Sequence, residues 1–297
     1  MNNFRSSVIN ASSEVAIALG SLCSDPGALE RLERLARANA LESLPLVASD
    51  NWLHFAADVR KTFLEQDYVI IKNLPVTDNG ATLLIAASTI GSMFRTYRGG
   101  QIVKHFKMSP WTKELSHTIR EGEFHTDLNT ENPPPPITAM QCLDPDPGAP
   151  EYGVSRVARL EDILFFLDRN GLQETLQFLT HDTATMLNDR SSSSWSGQIV
   201  EKGLIRYHPE TLRAAARRFG YQEMFLTVLT DRIAEVSKAS IEVSVPFILE
   251  RGDVLLLSNH RTLHYRGECS VVFKKYPMEF ISRSIFILHA NQETLDS

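Results

Sequence analysis

Two residues in the stretch GEFHTDLNTENPPPP, residues 122 to 136, have the types and spacing for chemistry: His125 and Asp127. In an extended strand, residues i and i+2 face the same side, about 6.5 Å apart. An imidazole and a carboxylate that converge in this way suit a divalent ion such as Fe(II), Mn(II) or Zn(II). The pair alone is weak, because His-x-Asp also occurs on ordinary surfaces. A third ligand has to come from elsewhere in the chain.

Two further histidines, His260 and His264, lie in GDVLLLSNHRTLHYRGE, where an apolar strand ends in a polar turn. A histidine just past such a turn sits at a strand end and faces a cavity mouth. Two histidines and one carboxylate that leave coordination positions open make a facial triad, which suits oxygen chemistry at Fe(II). Arg283 is the next residue of note. In MEFISRSIFILH, alternation places Ile281, Arg283, Ile285 and Ile287 on one face. A lone guanidinium in an apolar stripe is costly unless an anion meets it. The competing arrangement buries Phe280, Phe286 and Leu288 and leaves the isoleucine face as an exposed edge. Asn129 and Thr130 follow the His-Asp pair directly and are candidates for substrate contact, or else loop residues that satisfy backbone groups. The prolines after them fix a stiff, extended exit.

The elements that position these residues come from both ends of the chain. Residues 12 to 66 read as helical, with Leu29, Leu32 and Leu35, then Trp52, Phe55, Val59 and Phe63, at helical spacing. YVIIKNLP is a short strand, and GATLLIAASTIGSMF a buried helix. From about residue 100 strands are expected at GQIVKHF, LSHTIRE and ITAMQCL. RLEDILFFLDRN, ETLQFLTHD and the stretch from His208 to Ala239 read as helix, and DRSSSSWSGQI (189–199) as a mobile Ser-rich loop. Trp195, in that loop, is a candidate lid residue. SIEVSVPFIL, GDVLLLSN, TLHYRGE and MEFISRSIFILH are expected strands. Early and late strands around a helical middle predict a mostly β protein with flanking helices, built on a double-stranded β-helix, or jelly-roll, rather than a parallel α/β sheet.

Composition sets the class. The chain has 297 residues, 43% of them hydrophobic and 22% charged, with a net charge of −6, which suits a globular protein. Lys and Arg are scattered, which argues against nucleic acid as a partner. Three distant cysteines fit neither a disulfide framework nor a Cys-based zinc site. The first residues lack an apolar signal-peptide core, and no apolar run is long enough for a membrane span. No membrane partner is therefore expected, and a cytoplasmic location is.

The motifs DYVIIKNLPV, EFHTD, RGDVLLLSNHRTLHYR and EFISRSIFIL, in this order across residues 67 to 288, resemble the TauD/TfdA branch of Fe(II)/2-oxoglutarate-dependent dioxygenases, which includes clavaminate-synthase-like enzymes. Each motif is modest, and their order makes the match specific. The resemblance implies that His264, five residues after Asn259, is the third ligand, and that His260 is a turn residue. It implies Fe(II), 2-oxoglutarate and O2 as cofactor and co-substrates. It assigns Arg283 to the distal carboxylate of 2-oxoglutarate, with GECSVVFKKYPM as a longer hairpin or loop than usual. Ser155 stands where a co-substrate hydroxyl is expected, although the surrounding motif is degraded. Arg206, on a short strand before a helix, matches an arginine that holds a substrate carboxylate. Asp127 implies oxygen insertion rather than halogenation, in which a small residue replaces the carboxylate.

The expected activity is hydroxylation of a small polar metabolite such as an amino acid or derivative, with release of succinate and CO2. Desaturation or cyclisation at the same site is the alternative, with a zinc hydrolase or a non-catalytic metal-binding jelly-roll behind it. The expected organisation is one catalytic domain, 1–297. It has a helical extension over 1–66 packed on it and a largely helical insertion over 159–238, with a lid near 189–199.

Overall fold

The computed structural model describes residues 7–97, 99–114, 116–220 and 223–294. The chain opens with strand β1 (Val8–Asn10) and helices α1 (Ser13–Cys23), α2 (Ala28–Arg37) and α3 (Asp50–Gln66). Ser12 and Ser49 cap α1 and α3, each hydroxyl accepting from a backbone amide three residues on. Next come β2 (Tyr68–Lys72), α4 (Ala81–Ala87), β3 (Gly91–Phe94), β4 (Lys104–Lys107), β5 (Gly122–His125), β6 (Ile137–Asp144) and β7 (Ser155–Arg159). The middle of the chain holds α5 (Leu160–Arg169), α6 (Gln173–Thr180), β8 (Thr183–Leu187), β9 (Ser194–Gln198), β10 (Val200–Glu201), β11 (Leu204–Ile205), α7 (Pro209–Phe219) and α8 (Glu223–Val243). The last part is β12 (Val254–Ser258), β13 (Thr262–Arg266), β14 (Val271–Lys275), β15 (Glu279–Ser282) and β16 (Ser284–Glu293).

Among the described residues, a seven-stranded sheet runs β1-β2-β12-β6-β16-β3, with β4 also paired to β16. A three-stranded sheet runs β5-β13-β7. Side-chain alternation sorts the core into layers. Val254 and Leu256 of β12 turn outward with Val69 and Ile71 of β2 into a core shared with α1 to α4. Leu255 and Leu257 turn inward, with Tyr68, Ile70 and Val157 of β7. On the smaller sheet, Phe124, Ala158 and Leu263 face out into a core shared with α5 to α8. The order is therefore N-terminal helices, large sheet, small sheet, inserted helices. The jelly-roll core predicted from sequence is the observed one.

Five local expectations are corrected. β1 adds a strand before the first helix and pairs parallel to β2. LSHTIRE forms turns and one isolated bridge at Thr118, within its described residues. SIEVSVPFIL is not a strand: α8 runs through Val243, and Phe247 makes an isolated bridge to Ser155. Packing of Val236 and Ala239 in the helical core overrides the local β preference. The 189–199 stretch is not an irregular loop, because Ser194–Gln198 pairs with β8 as a hairpin. Asn188 closes its turn by accepting from the amides of Arg190 and Ser191. Finally, MEFISRSIFILH is interrupted at Arg283, between β15 and β16. Ile281 is exposed in the β14–β15 hairpin, while Ile285 and Ile287 are buried. Of the expected longer hairpin or loop, a hairpin is what forms: GECSVVFKKYPM holds β14 and the turn to β15.

Candidate metal centre and its surroundings

The inner face of the small sheet carries the chemistry. Since Phe124 and Leu263 point outward, His125 and His264 point inward. They are direct partners in the antiparallel β5–β13 ladder, with ring centroids 4.3 Å apart. Asp127 follows β5, and its Oδ1 lies 3.6 Å from Nε2 of both His125 and His264. These three are the only group of His, Cys, Asp and Glu among the described residues able to hold a metal, with ligand atoms within 4.8 Å of one another.

The large sheet supports this trio from the opposite wall. Leu257, Thr138 and His289 form one row across β12, β6 and β16. The Thr138 hydroxyl donates to Asp127 Oδ2 at 3.0 Å, and His289 Nε2 meets the same oxygen at 3.1 Å. His289 Nδ1 is in turn bonded to the Tyr97 hydroxyl. Oδ2 is thereby occupied, and Oδ1 is left to the histidines. Burial alone would raise the Asp127 carboxyl. The histidines packed around it, His264 foremost and then His125 and His289, hold it well below the usual range. His264 is pushed down, first by burial and then by His125, which favours the neutral imidazole a metal requires. His125 Nδ1 donates to the Glu123 carbonyl at 2.6 Å, so its Nε2 carries the free lone pair.

Asn259 is the clamp behind Asp127. Its side chain accepts from the Asp127 amide at 2.7 Å and donates to the carbonyls of Asp127 (3.0 Å) and Pro135 (2.9 Å). Its own amide donates to Pro136 O, and the neighbouring His260 Nε2 meets Pro134 O at 3.1 Å. A proline run offers acceptors and no amide donors, and this turn supplies the donors. His260 is therefore a turn residue outside the trio. Asp67 anchors the turn by accepting from Arg261 Nε at 2.6 Å.

Arg283 is 4% exposed. It donates to the Gly153 carbonyl at 2.9 Å and to the Ser155 hydroxyl at 3.2 Å. No carboxylate among the described residues pairs with it. Ser155 lies opposite Arg266 in the β7–β13 ladder, two positions from the Val157–His264 pair. Alternation puts Ser155 on the face that bears the two histidines.

The four residues predicted to meet substrate lie together, with different tasks. Arg206 Nη1 donates to the carbonyls of Asn129 (3.2 Å) and Glu131 (2.8 Å), and its guanidinium stacks 4.3 Å from the Trp195 ring centroid. The Asn129 amide is turned to Met186 and Thr211, and Thr130 bonds Ser193 at the hairpin turn. Sequence reading passed over Thr138, His289, Tyr97 and His208. A histidine inside an apolar strand end, IFILH, was the available signal for His289.

A family model described as "Taurine catabolism dioxygenase TauD, TfdA family" matches residues 32–271, and the chain belongs to that family. It is an oxidoreductase of the non-haem iron, 2-oxoglutarate-dependent class. No curated protein matches the sequence. Among solved structures, an asparagine oxygenase in complex with Fe(II), 2S,3S-3-hydroxyasparagine and succinate superposes with a TM-score of 0.68 at 15% identity, over 96% of this chain and 93% of that one. The non-heme iron oxygenase OrfP, in complex with Fe and alpha-ketoglutaric acid, gives 0.62 at 14% identity, over 96% and 93%. OrfP with Fe, succinate and (3S)-hydroxy-L-Arg gives 0.63 at 12% identity, over 96% and 94%. At these identities the likeness is one of fold. No helix among the described residues is long and apolar enough to cross a membrane.

Proposed function

We propose that the protein hydroxylates an amino acid or a close derivative, with His125, Asp127 and His264 as the ligands of Fe(II) and Arg283 as the anchor of 2-oxoglutarate. The observation that carries the reading is the buried Arg283 guanidinium without a carboxylate partner. A buried charge of this kind is costly unless an anion meets it, and a guanidinium matches a carboxylate in two-pronged geometry. Ser155 holds the same guanidinium in place and adds a hydroxyl beside it. The donor set of two imidazoles and one carboxylate suits Fe(II) with positions left open. When bound, Fe(II) and 2-oxoglutarate would activate O2, the oxidant: one of its oxygen atoms would enter a substrate C–H bond and the other the succinate formed as 2-oxoglutarate loses CO2.

The chain's own work is placement. Asn259 fixes the Asp127 backbone, and Thr138 and His289 fix its carboxylate, so one oxygen faces the histidines. Arg206, stacked on Trp195 and aimed by two carbonyls, is proposed to hold the substrate carboxylate, with the β8–β9 hairpin as cover. Asn129 and Thr130 shape that wall through their backbone and their bonds to Thr211 and Ser193. Asp127 itself favours oxygen insertion over halogenation.

The test is succinate release across the L-amino acids and simple derivatives, with products identified by mass. A product heavier by one oxygen, formed with stoichiometric succinate, supports the reading. A product lacking two hydrogens points to desaturation or cyclisation. Absence of a visible charge-transfer band with Fe(II) and 2-oxoglutarate under anaerobic conditions sinks it.

A further inference from the structure

The wall next to Arg206 carries more positive charge than its own carboxylate neutralises. Lys104 of β4 lies opposite Ile287 of β16. Ile287 is two positions from His289, so Lys104 shares the sheet face on which His289 meets Asp127. The other face agrees: the next residue, His105, packs its ring against Phe286 of the outer core. Lys104 Nζ rests 4.0 Å from the centroid of the Tyr97 ring, and the Tyr97 hydroxyl is bonded to His289. Arg95 lies over the same ring, its guanidinium carbon 5.7 Å from the centroid. A ring face attracts a cation but does not neutralise it.

Glu131 ties this cluster to Arg206. Its carboxylate forms a two-pronged pair with Arg95, and its carbonyl accepts from Arg206 at 2.8 Å. Three cations, Arg95, Lys104 and Arg206, thus share one carboxylate, and Arg95 takes both of its oxygens. Among the described residues, neither Lys104 nor Arg206 has a carboxylate partner; Arg206 is held by two carbonyls. Glu114, which offsets the Lys104 charge in part, is itself paired with Arg190 at 2.7 Å. Both Lys104 and Arg206 are partly buried, where a cation gains most from an anion that meets it. Two unmatched positive charges on one wall fit a ligand with two negative ones.

We propose that the substrate is an amino acid with an acidic side chain, its α-carboxylate on Arg206 and its distal carboxylate on Lys104. The inference rests on the amino-acid reading above and adds the side-chain class. An ammonium is a compact point charge with three rotatable donors, so Lys104 selects for charge more than for one fixed geometry. A basic side chain at this wall would meet Arg95 and Lys104 and be repelled. A neutral amide would leave the Lys104 charge unmatched.

The test is succinate release with L-aspartate, L-glutamate and L-2-aminoadipate, each against its side-chain amide, with O-phospho-L-serine as a non-carboxylate acid. In wild type the best acid should exceed its amide roughly 10- to 100-fold in kcat/KM, as expected for one hydrogen bond between charged groups. In Lys104→Met that acid should fall to within about threefold of its amide, mainly through KM, and Lys104→Arg should restore part of the preference. The anaerobic charge-transfer band with Fe(II) and 2-oxoglutarate should form in both variants. An acid preference that survives in Lys104→Met overturns the proposal. So does loss of the band in Lys104→Met, which would tie Lys104 to the metal centre instead of the substrate. Faster turnover of O-phospho-L-serine than of any dicarboxylic acid would mean that the wall takes a phosphate, and the carboxylate assignment is wrong. If wild type prefers neutral or basic L-amino acids, this inference fails while the amino-acid reading stands. If it turns over no L-amino acid, that reading fails and the inference falls with it.

Discussion

His264 lies directly opposite His125 across the antiparallel β5–β13 ladder, with the two rings 4.3 Å apart. The candidate metal centre is therefore built into the register of a sheet whose outer face is locked by Phe124 and Leu263 in the core. A one-residue slip of β13 would turn His264 outward, away from His125. Loading the apoprotein with Fe(II), or with Mn(II) as a stable stand-in, should raise its thermal midpoint by several degrees, by simple binding linkage. His264→Ala should remove that rise while leaving the apoprotein midpoint close to wild type. A rise that survives in His264→Ala would mean that the ion binds elsewhere.

Thr138 and His289 meet Asp127 on the oxygen that turns away from the histidines. Outer partners of this kind typically tune metal affinity 10- to 100-fold. His289→Ala should weaken Fe(II) binding by roughly that factor, and Thr138→Val by less, since His289 remains. Anaerobic metal titration reads both. Equal affinity in all three proteins would show that Asp127 needs no such support.

Asn259 makes three bonds with its side chain, two of them to the Asp127 backbone. Asn259→Ala leaves the Asp127 amide and two carbonyls without partners in the interior. That should cost about 3 kcal/mol of stability, from desolvated and unmet polar groups. Denaturant unfolding of the metal-free protein measures it, and a loss under about 1 kcal/mol would mean that water replaces the side chain.

The features that sequence reading reached were local or carried by charge. His125 and Asp127 are two residues apart, and Arg283 is a charge among isoleucines. The resemblance then selected His264 over His260; in the structure His264 lies beside Asp127, while His260 is tied to Pro134. What it missed depends on partners far along the chain. Thr138 and His289 become neighbours only when β6 and β16 pair, and His208 reaches His125 only because Tyr207 is bound to Thr126. SIEVSVPFIL failed differently: its alternation is real, but Ser240 sits buried in α8 with its hydroxyl bonded to the Val236 carbonyl.

Arg283 separates stability from function in an unusual way. Among the described residues it has a carbonyl and a hydroxyl as partners and no carboxylate. Replacing it with an apolar residue of similar length removes a buried charge that no carboxylate among the described residues neutralises. Arg283→Met should therefore leave the co-substrate-free protein as stable as wild type, within about 1 kcal/mol, or more stable. The same change should raise KM for 2-oxoglutarate at least 100-fold, on the order of a lost buried ion pair. A strongly destabilised variant would show that the arginine is structural.

Arg206 and Trp195 stack at 4.3 Å, and two carbonyls aim the same guanidinium from the other side. If both residues serve one substrate carboxylate, their effects must overlap. Arg206→Met should raise substrate KM roughly 10- to 100-fold, the range for a charged hydrogen bond. Trp195→Ala should raise it less, because the carbonyls still orient the guanidinium, and cation–π stacking at a half-buried site is worth about 1 kcal/mol. In the double variant, the tryptophan change should add almost nothing, since the guanidinium it steadies is gone. KM for 2-oxoglutarate should stay level throughout, because that co-substrate is proposed to rest on Arg283. Full additivity of the two substitutions would instead assign Trp195 a separate contact with the substrate.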